Sequence, residues 1–251
     1  MTGSAYQRLR GHLSYLGLQT AAEHLAAELD DDESSVTEVL ESLLSKEVDA
    51  TRKRRTAGRL RFAHYPLRKT LQDFDFSFQP TLDRKVVSEL STLRFVEEHR
   101  NVLLLGPPGV GKTHLAIALG ISATEAGYRT YFTSAQDLVR HLSQAHRDGR
   151  FSSKMRTYTG PSVLVIDELG YLPMDQELAH RIFEVVTRRY ERGSIVLTSN
   201  RGFAEWGQVF ADPVVASAIL DRLLHHSTVM NIKGKSFRMR ALEGEEVTSM
   251  L

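Results

Sequence analysis

The chain has 251 residues, 41% hydrophobic and 25% charged, a composition typical of a globular protein with one large domain and room for a small second one. It has no cysteine, which excludes disulfides, thiolate metal sites and a cysteine nucleophile, and its ten histidines show no spacing typical of zinc ligands. The net charge is +1, no apolar run approaches the roughly 20 residues of a membrane span, and no secretory signal is recognisable, so we expect a soluble, cytoplasmic protein.

The N-terminal region, residues 5–47, is predicted to be helical. Apolar side chains recur at helical spacing from Leu9 to Leu29, and a further helix is expected from Ser35, after the acidic turn Asp30–Glu33. A few short helices bury little core, so we expect them to pack as a small bundle or to dock on a partner.

The small net charge conceals two oppositely charged segments. Residues 23–49 carry ten acidic side chains and a single lysine, whereas residues 50–72 carry no acid. A basic run of this kind is typical either of a solvated linker or of a polyanion contact, where each neutralised phosphate releases counterions. Its members are Arg52, Lys53, Arg54, Arg55, Arg59, Arg61, Arg68 and Lys69. We place a domain boundary near residue 68, which separates a small helical domain with a basic linker, 1–68, from a larger domain, 69–251.

The larger domain alternates predicted strands and helices, a pattern typical of a parallel sheet covered by helices on both faces. The predicted strands are Asn101–Leu105, Arg129–Thr133, Ser162–Ile166 and Ser194–Ser199. The predicted helices are Gly111–Ala126, Ala135–Gly149, Gln176–Arg192 and Pro213–His225. At the C-terminus, Thr228–Ile232 and Phe237–Arg240 are predicted to form a hairpin around a Lys-Gly-Lys turn.

The most informative motif, G-x-x-x-x-G-K-T, joins the first predicted strand to a helix. Its glycines let backbone N–H groups surround a polyphosphate, and the helix N-terminus adds a positive dipole end. Lys112 is expected to reach the β- and γ-phosphates, and the Thr113 hydroxyl to ligate Mg²⁺. The sequence therefore predicts a site for a nucleoside triphosphate with Mg²⁺. The predicted nucleotide-binding residues are Gly106, Pro107, Pro108, Gly109, Val110, Gly111, Lys112, Thr113 and His114.

Two further strand ends carry the polar side chains that hydrolysis needs. Asp167 and Glu168 follow the apolar run 163–166. We expect Asp167 to hold Mg²⁺ through its water shell and Glu168 to take a proton from the attacking water. Asn200 follows the strand 194–199 and is expected to orient that water beside the γ-phosphate. Surface acids and a plain Asn turn are the alternatives, and the preceding P-loop favours the catalytic interpretation.

Together, GPPGVGKTHLA, VLVIDELGYLP, IVLTSN and SFRMR resemble the AAA+ ATPases of the IstB/DnaC type, which are transposition helpers and replicative helicase loaders. The resemblance covers most of the chain, and DELGYLP is more specific than a P-loop alone. It implies an AAA+ P-loop NTPase fold preceded by a small all-helical domain and lacking a C-terminal helical lid. The helical N-terminus and the Phe-rich segment 71–78 make the IstB-type helper the first interpretation and a helicase loader the alternative.

The resemblance also implies roles for single residues. Arg222, in ILDRL, matches the arginine that reaches into a neighbouring subunit's ATP site, and Arg238, in SFRMR, matches the second sensor that touches the γ-phosphate. Phe74 and Phe76 are candidates for the adenine pocket, and the alternative, which is more frequent for two aromatics beside a domain boundary, is that they belong to the core. An arginine that acts in trans implies a homo-oligomer, either a ring or a helical filament. The family's activity is ATP hydrolysis, and its partners are duplex DNA and a transposase, or a replicative helicase in the alternative.

A second basic segment supports a DNA partner independently. Arg150, Lys154 and Arg156 are interleaved with aromatic residues after the helix predicted at 135–149. With the basic residues between Arg52 and Arg61, they predict contacts to the phosphate backbone of duplex DNA that are largely independent of sequence. No membrane partner is expected.

Three other classes fit less well. A small-molecule P-loop kinase would need an acceptor pocket and lid that the sequence does not reveal. A non-catalytic adaptor that binds ATP only to assemble would not need the full set of hydrolytic residues. A GTPase would need an N-K-x-D guanine-reading motif, which the sequence lacks.

Overall fold

The computed structural model of the protein describes residues 4–30, 35–171, 175–210 and 212–239. The chain separates into two compact units, Met1–Gly58 and Arg59–Leu251. The functional division predicted near residue 68 stays a prediction. Within the described ranges, no helix is both long enough and apolar enough to cross a membrane.

The N-terminal unit is helical, as predicted. Helix α1 is Ala5–Tyr15, α2 is Gln19–Leu29, and α3 is Val36–Ala63, whose last turns belong to the second unit. The buried core of the unit is small and consists of Ala21, Leu25 and Leu43.

Buried Glu47 ties α3 to α2 in the N-terminal unit. Its carboxylate accepts the Ala21 backbone N–H at 3.0 Å and an Arg54 guanidinium N–H at 2.7 Å. The Arg54 hydrogen bond, followed by the one from Ala21, holds the pKa of Glu47 below its usual range. Arg54 therefore already donates a hydrogen bond to a carboxylate of its own chain.

Helix α3 continues through the basic segment. The residues from Arg52 to Arg61 are therefore helical, beyond the helical region predicted at 5–47, and their role as a linker between two domains stays a prediction. Arginine and lysine are good helix formers, and the first proline after them is Pro66, so nothing in this segment ends the helix early.

The second unit is built on a five-stranded parallel sheet in the order β2-β3-β4-β1-β5. The strands are β1 (Asn101–Leu105), β2 (Thr130–Ser134), β3 (Val163–Leu169), β4 (Ser194–Ser199) and β5 (Ser227–Asn231). The helices are α4 (Arg84–Ser91), α5 (Arg94–Glu97), α6 (Lys112–Glu125), α7 (Ala135–Arg147), α8 (Phe151–Thr159), α9 (Gln176–Arg189), α10 (Trp206–Val209) and α11 (Pro213–Leu224). Short 3₁₀ turns lie at Phe203–Glu205 and Phe237–Met239. The predicted parallel sheet is confirmed.

The predicted C-terminal hairpin is wrong. Strand β5 pairs in parallel with β1, with Asn101 opposite Ser227 and Leu105 opposite Asn231. The free edge of β1 takes β5 as a fifth parallel strand, and the chain then turns into the 3₁₀ segment Phe237–Met239. Arg240, the last residue of the predicted hairpin, lies outside the described residues.

Alternate residues of the strands face two different cores. Val102, Leu104 and Val165 point toward the layer formed by α4, α5 and α6. Leu103 and Ile166 point toward the layer that contains α7, α8, α9, α10 and α11. Strands buried on both faces read as continuous apolar runs, which is why the sequence revealed them. All five strands run in parallel, so their carboxyl ends meet at one edge of the sheet.

At the opposite edge, the guanidinium of Arg189 is almost fully buried, and its hydrogen-bond partners among the described residues are backbone carbonyls. It donates to the carbonyls of Tyr158, Pro161, Ser162 and Ser194 at 2.7–3.1 Å, which fixes the start of β3 and of β4. These four oxygens would lose a charged donor together if the guanidinium were removed.

Arg189→Met is therefore expected to lower the free energy of unfolding by about 3 kcal/mol or more. Urea unfolding followed by circular dichroism measures the change. Arg188→Met is the matched control, because Arg188 is exposed and pairs only loosely with Glu184, at 3.5 Å. That variant should stay within about 0.5 kcal/mol of the wild type. Equal effects of the two substitutions would contradict the role of Arg189.

Candidate functional site

The P-loop leaves β1 at the carboxyl edge of the sheet, and two of its glycines show why no other residue fits. Gly109 and Gly111 have φ values of +82° and +95°. A Cβ added to Gly109 would lie 2.0 Å from Ser236 Oγ, and one added to Gly111 would lie 2.7 Å from the Phe74 ring. The loop is thus held between an aromatic segment before β1 and the segment after β5.

Lys112 begins α6 and folds back over the loop. Its side chain is buried, and its Nζ donates hydrogen bonds to the carbonyls of Gly106 and Pro107, at 2.8 Å each. The loop therefore holds the ammonium beside the backbone that is predicted to surround a phosphate chain, and the first turn of α6 opens toward the same place.

Asp167 and Thr113 lie together, as the sequence predicted of two metal ligands. The Thr113 hydroxyl lies 2.9 and 3.1 Å from the two carboxylate oxygens of Asp167. Asp167 is almost fully buried and also accepts a hydrogen bond from the hydroxyl of Thr198, at 2.5 Å. These are hard oxygen donors of the type that Mg²⁺ prefers, and a hydroxyl that donates to a carboxylate keeps a lone pair for a cation. The donor set fits the predicted ion.

Glu168, the next residue, points the other way. It is exposed, whereas Asp167 beside it is buried. Its φ is +61°, a left-handed backbone that is uncommon for a residue with a side chain. The pairing of β3 with β4 is irregular between Ile166 and Leu169, which marks a bulge at these two acids.

Asn200 ends β4 and lies on the wall of the same cleft as Glu168. Its side-chain Oδ1 is buried and has no hydrogen-bond partner among the described residues. Buried amide groups are nearly always paired, so an orphaned one beside a cleft is typical of a group that pairs with a ligand or water. The arrangement fits the predicted contact to a water beside a phosphate.

These side chains line one cleft of about 380 Å³. Lys112, Thr113, Glu168 and Asn200 form its polar part, and Asp167 lies directly behind Thr113. The apolar part is formed by Leu67, Phe74, Phe78, Ile117 and Phe237. A polar end with phosphate-binding chemistry and an apolar end with aromatic rings is the form expected for a nucleotide site.

The aromatic end is built by the segment before β1. Phe74 lines the cleft, while Phe76 packs against Phe74 at 4.9 Å between ring centroids and supports it from behind. His114 Nε2 donates to the carbonyl of Thr70 at 2.8 Å, which ties this segment to α6. Hydrogen bonds from the Thr70 backbone and hydroxyl lower the pKa of Asp73 on the cleft wall.

The two arginines predicted for the site differ in how much of them the structure describes. Arg222 does not line the cleft of its own chain. Its guanidinium lies 5.0 Å from the Phe183 ring centroid, and its Nη1 donates to the Ala218 carbonyl at 2.9 Å. The backbone of Arg238 lies in the last 3₁₀ turn, and its side chain is outside the described part of the chain. Both roles stay predictions.

The predicted DNA-binding residues are unequally exposed. Arg54 pairs with Glu47, and Arg59 and Lys154 are half-buried. The Nζ of Lys154 lies 5.6 Å from the Tyr158 ring centroid. The exposed members are Arg52, Lys53, Arg54, Arg55, Arg61, Arg150 and Arg156.

Sequence reasoning missed Thr198. It lies inside β4, is 1% exposed, and contacts both acids of β3. The sequence did contain a sign of this residue, because a hydroxyl side chain directly follows the apolar run Ile195–Leu197, two positions before the predicted Asn200. The strand order, which puts β4 next to β3, was needed to give that hydroxyl a partner.

Comparison with known proteins gives a consistent result. The family model described as IstB-like ATP binding protein matches residues 9–243. The insertion sequence IS21 ATP-binding protein of Pseudomonas aeruginosa is 49% identical over 229 residues, 91% of this chain and 84% of that protein. The insertion sequence IS5376 ATP-binding protein of Geobacillus stearothermophilus is 47% identical over 206 residues, 82% of each.

Among solved structures, the crystal structure of the DnaC helicase loader is similar, with a TM-score of 0.51 and 25% identity. The match covers 59% of this chain and 87% of that chain. The predicted AAA+ P-loop fold is confirmed, and so is the predicted resemblance to the IstB type. The P-loop, the strand-end polar residues and the two insertion-sequence relatives agree, and the chain belongs to the IstB-like ATP binding protein family.

Proposed function

We propose that this ATP-binding protein is a Mg²⁺-dependent ATPase that oligomerises on duplex DNA and acts as a transposition helper. It selects target DNA and recruits or stimulates a transposase, and ATP hydrolysis resets the assembly. One observation carries the proposal: the polar end of one cleft brings together the side chains that the sequence predicts to bind phosphate, hold a cation and activate water. The insertion-sequence relatives support the context of transposition.

The chemistry assigned to the cleft is transfer of the γ-phosphoryl group of ATP to water, with ADP as the leaving group. Lys112 would contact the β- and γ-phosphates, and Thr113 with Asp167 would hold Mg²⁺. The ion, when bound, neutralises charge that develops on the phosphate oxygens. Asn200 orients the attacking water and Glu168 accepts its proton as the new P–O bond forms and the bond to the ADP oxygen breaks. Exposed Glu168 can reach water in the cleft, while buried Asp167 cannot act as that base.

The DNA part of the proposal depends on the exposed basic side chains of α3 and α8. Each lysine or arginine that neutralises a phosphate contributes about −0.9 to the slope of log affinity against log salt. Replacing Lys53 and Arg55 together by alanine is therefore expected to weaken binding to unrelated duplexes equally and to reduce that slope by about 2.

Fluorescence anisotropy of labelled duplexes over a range of salt concentrations measures this slope. Arg94→Ala is the matched control, since Arg94 is an exposed arginine outside both basic segments. A slope that does not change in the double variant, or that falls equally in the control, would remove α3 from the DNA contact.

The proposed function is tested by electron microscopy of the protein with ATP and Mg²⁺, with and without duplex DNA. Ordered rings or filaments that need both ATP and DNA support it. A monodisperse monomer under all conditions contradicts it. The likeness to the DnaC helicase loader supports a second candidate with the same ATPase and a different client. Pull-down of the ATP-bound protein against a transposase and a replicative helicase separates the two.

A further inference from the structure

A bulge separates the two consecutive acids of the site. On one side of it Ile166 is opposite Leu197, and on the other side Leu169 is opposite Ser199. Strand β3 therefore has two residues, Asp167 and Glu168, where β4 has only Thr198. Bulges turn side chains to new directions and are frequent beside active sites. Here the bulge lets one acid stay buried while the next is exposed in the cleft.

The hydroxyl of Thr198 contacts both acids, and its hydrogen-bond directions are fixed. It has one proton, which goes to the acceptor-only carboxylate of Asp167 at 2.5 Å. Its lone pair accepts the backbone N–H of Glu168 at 2.9 Å. Thr198 is 1% exposed, so neither bond is open to bulk solvent.

The bond to the Glu168 N–H explains how an unfavourable backbone is maintained. A residue with a Cβ rarely adopts a φ of +61°, and such outliers persist only where the surroundings fix them. Gly170, two residues later, also has a positive φ of +86°, so the chain turns out of the strand directly after the acids. The Thr198 hydroxyl is the described side-chain group that holds the amide at the centre of this turn.

We propose that Thr198 is the positioning residue of the site, and that its single hydroxyl sets both the orientation of the Asp167 carboxylate and the direction of Glu168. The inference rests on the proposed ATPase function. A residue that served only to fill the core at this position could be valine, as Val196 is two residues earlier on the same strand. The hydroxyl, and not the volume of the side chain, is what the two acids use.

Thr198→Val and Thr198→Ser test this with a matched pair of variants. Valine keeps the volume and removes the hydroxyl, whereas serine keeps the hydroxyl and removes a methyl group. We expect Thr198→Val to lower ATP turnover by about 10²-fold, because a displacement of about 1 Å costs that much, while ATP affinity changes by less than about 3-fold. Thr198→Ser should retain turnover within about 3-fold of the wild type.

Steady-state ATPase kinetics give kcat, and binding of a fluorescent ATP analogue gives affinity separately. Amide hydrogen exchange of Glu168, followed by NMR, gives a readout that does not need activity. Thr198→Val should lose the protection of that amide and Thr198→Ser should keep it. A merely structural role would affect exchange across the sheet instead of at this position.

Turnover within about 3-fold of the wild type in Thr198→Val, or equal losses in both variants, overturns the inference. So does an unchanged exchange rate at Glu168. Should Thr198→Val fail to bind ATP, Thr198→Ala repeats the removal of the hydroxyl with a smaller side chain, and the serine variant is read as before. A wild-type protein without ATP turnover contradicts the proposed function, and the exchange experiment then still decides the role of Thr198.

Discussion

Glu168→Gln is expected to reduce ATP turnover by about 10³-fold or more, at the upper part of the range that general-base catalysis contributes. The amide has nearly the shape of the carboxylate and cannot accept a proton from water at neutral pH. Lys112, Thr113 and Asp167 remain in place, because Asp167 is held by Thr113 and Thr198 and not by Glu168. ATP affinity should therefore stay within about 3-fold of the wild type, since the phosphate contacts are unchanged.

Turnover is measured by phosphate release and affinity by a fluorescent ATP analogue. Glu125→Gln is the control, because Glu125 is an exposed acid at the far end of α6 from the P-loop. The proposed reset predicts a further effect: the variant should keep DNA-bound assemblies intact after ATP is added, where the wild type releases them. Wild-type turnover in Glu168→Gln would remove this residue from the mechanism.

The polar end of the site could be predicted from the sequence because parallel strands place their carboxyl ends together. Once a P-loop followed β1, any polar side chain at the end of another strand had to lie near it. Asp167 and Asn200 were found in this way: the structure puts Asp167 on β3 and Asn200 directly after β4, where β4 is next to β1 and β3 is the strand beyond it. The individual catalytic roles still stand as predictions.

The bulge could not be predicted. The predicted strand ended at Ile166 and left Asp167 and Glu168 after it, whereas β3 continues to Leu169. In a regular strand these two acids would alternate between the two faces of the sheet. Glu168 has a positive φ, and its N–H donates to the hydroxyl of Thr198, which is 30 residues further along the chain. A contact of that kind follows from strand order and register, and neither is encoded in local propensity.

The two incorrect secondary-structure predictions have the same origin. Lys233-Gly234-Lys235 reads as a hairpin turn, but the partner of β5 is β1, more than 120 residues earlier in sequence. For α3, the predicted helical region ended at residue 47, whereas the helix continues to Ala63 through a basic segment of high helix propensity. Non-local pairing and the choice between a charged helix and a charged loop both need tertiary information.

Arg222→Ala is expected to lower ATP turnover of the assembled protein by about 10³-fold or more, as arginine fingers do in other nucleotide hydrolases. Arg222 lies on α11, outside the cleft of its own chain, and stacks on Phe183 of α9. ATP affinity of the isolated subunit should therefore remain close to that of the wild type. If Arg222 acts in trans, the loss of ATP turnover depends on which variant the neighbouring subunit carries. A folding defect would lower turnover whatever the neighbouring subunit is.

Mixing two inactive variants tests this directly. An Arg222→Ala subunit retains Glu168, and a Glu168→Gln subunit retains Arg222. Where the cleft of an Arg222→Ala subunit meets α11 of a Glu168→Gln subunit, the contact therefore contains one complete site. Random assembly of equal amounts in a head-to-tail oligomer makes about a quarter of the contacts complete. Turnover should thus recover to about a quarter of the wild-type value, whereas each variant alone stays inactive. No recovery in assemblies that form normally would mean that Arg222 does not act across the contact. Its stacking on Phe183 would then be its whole role.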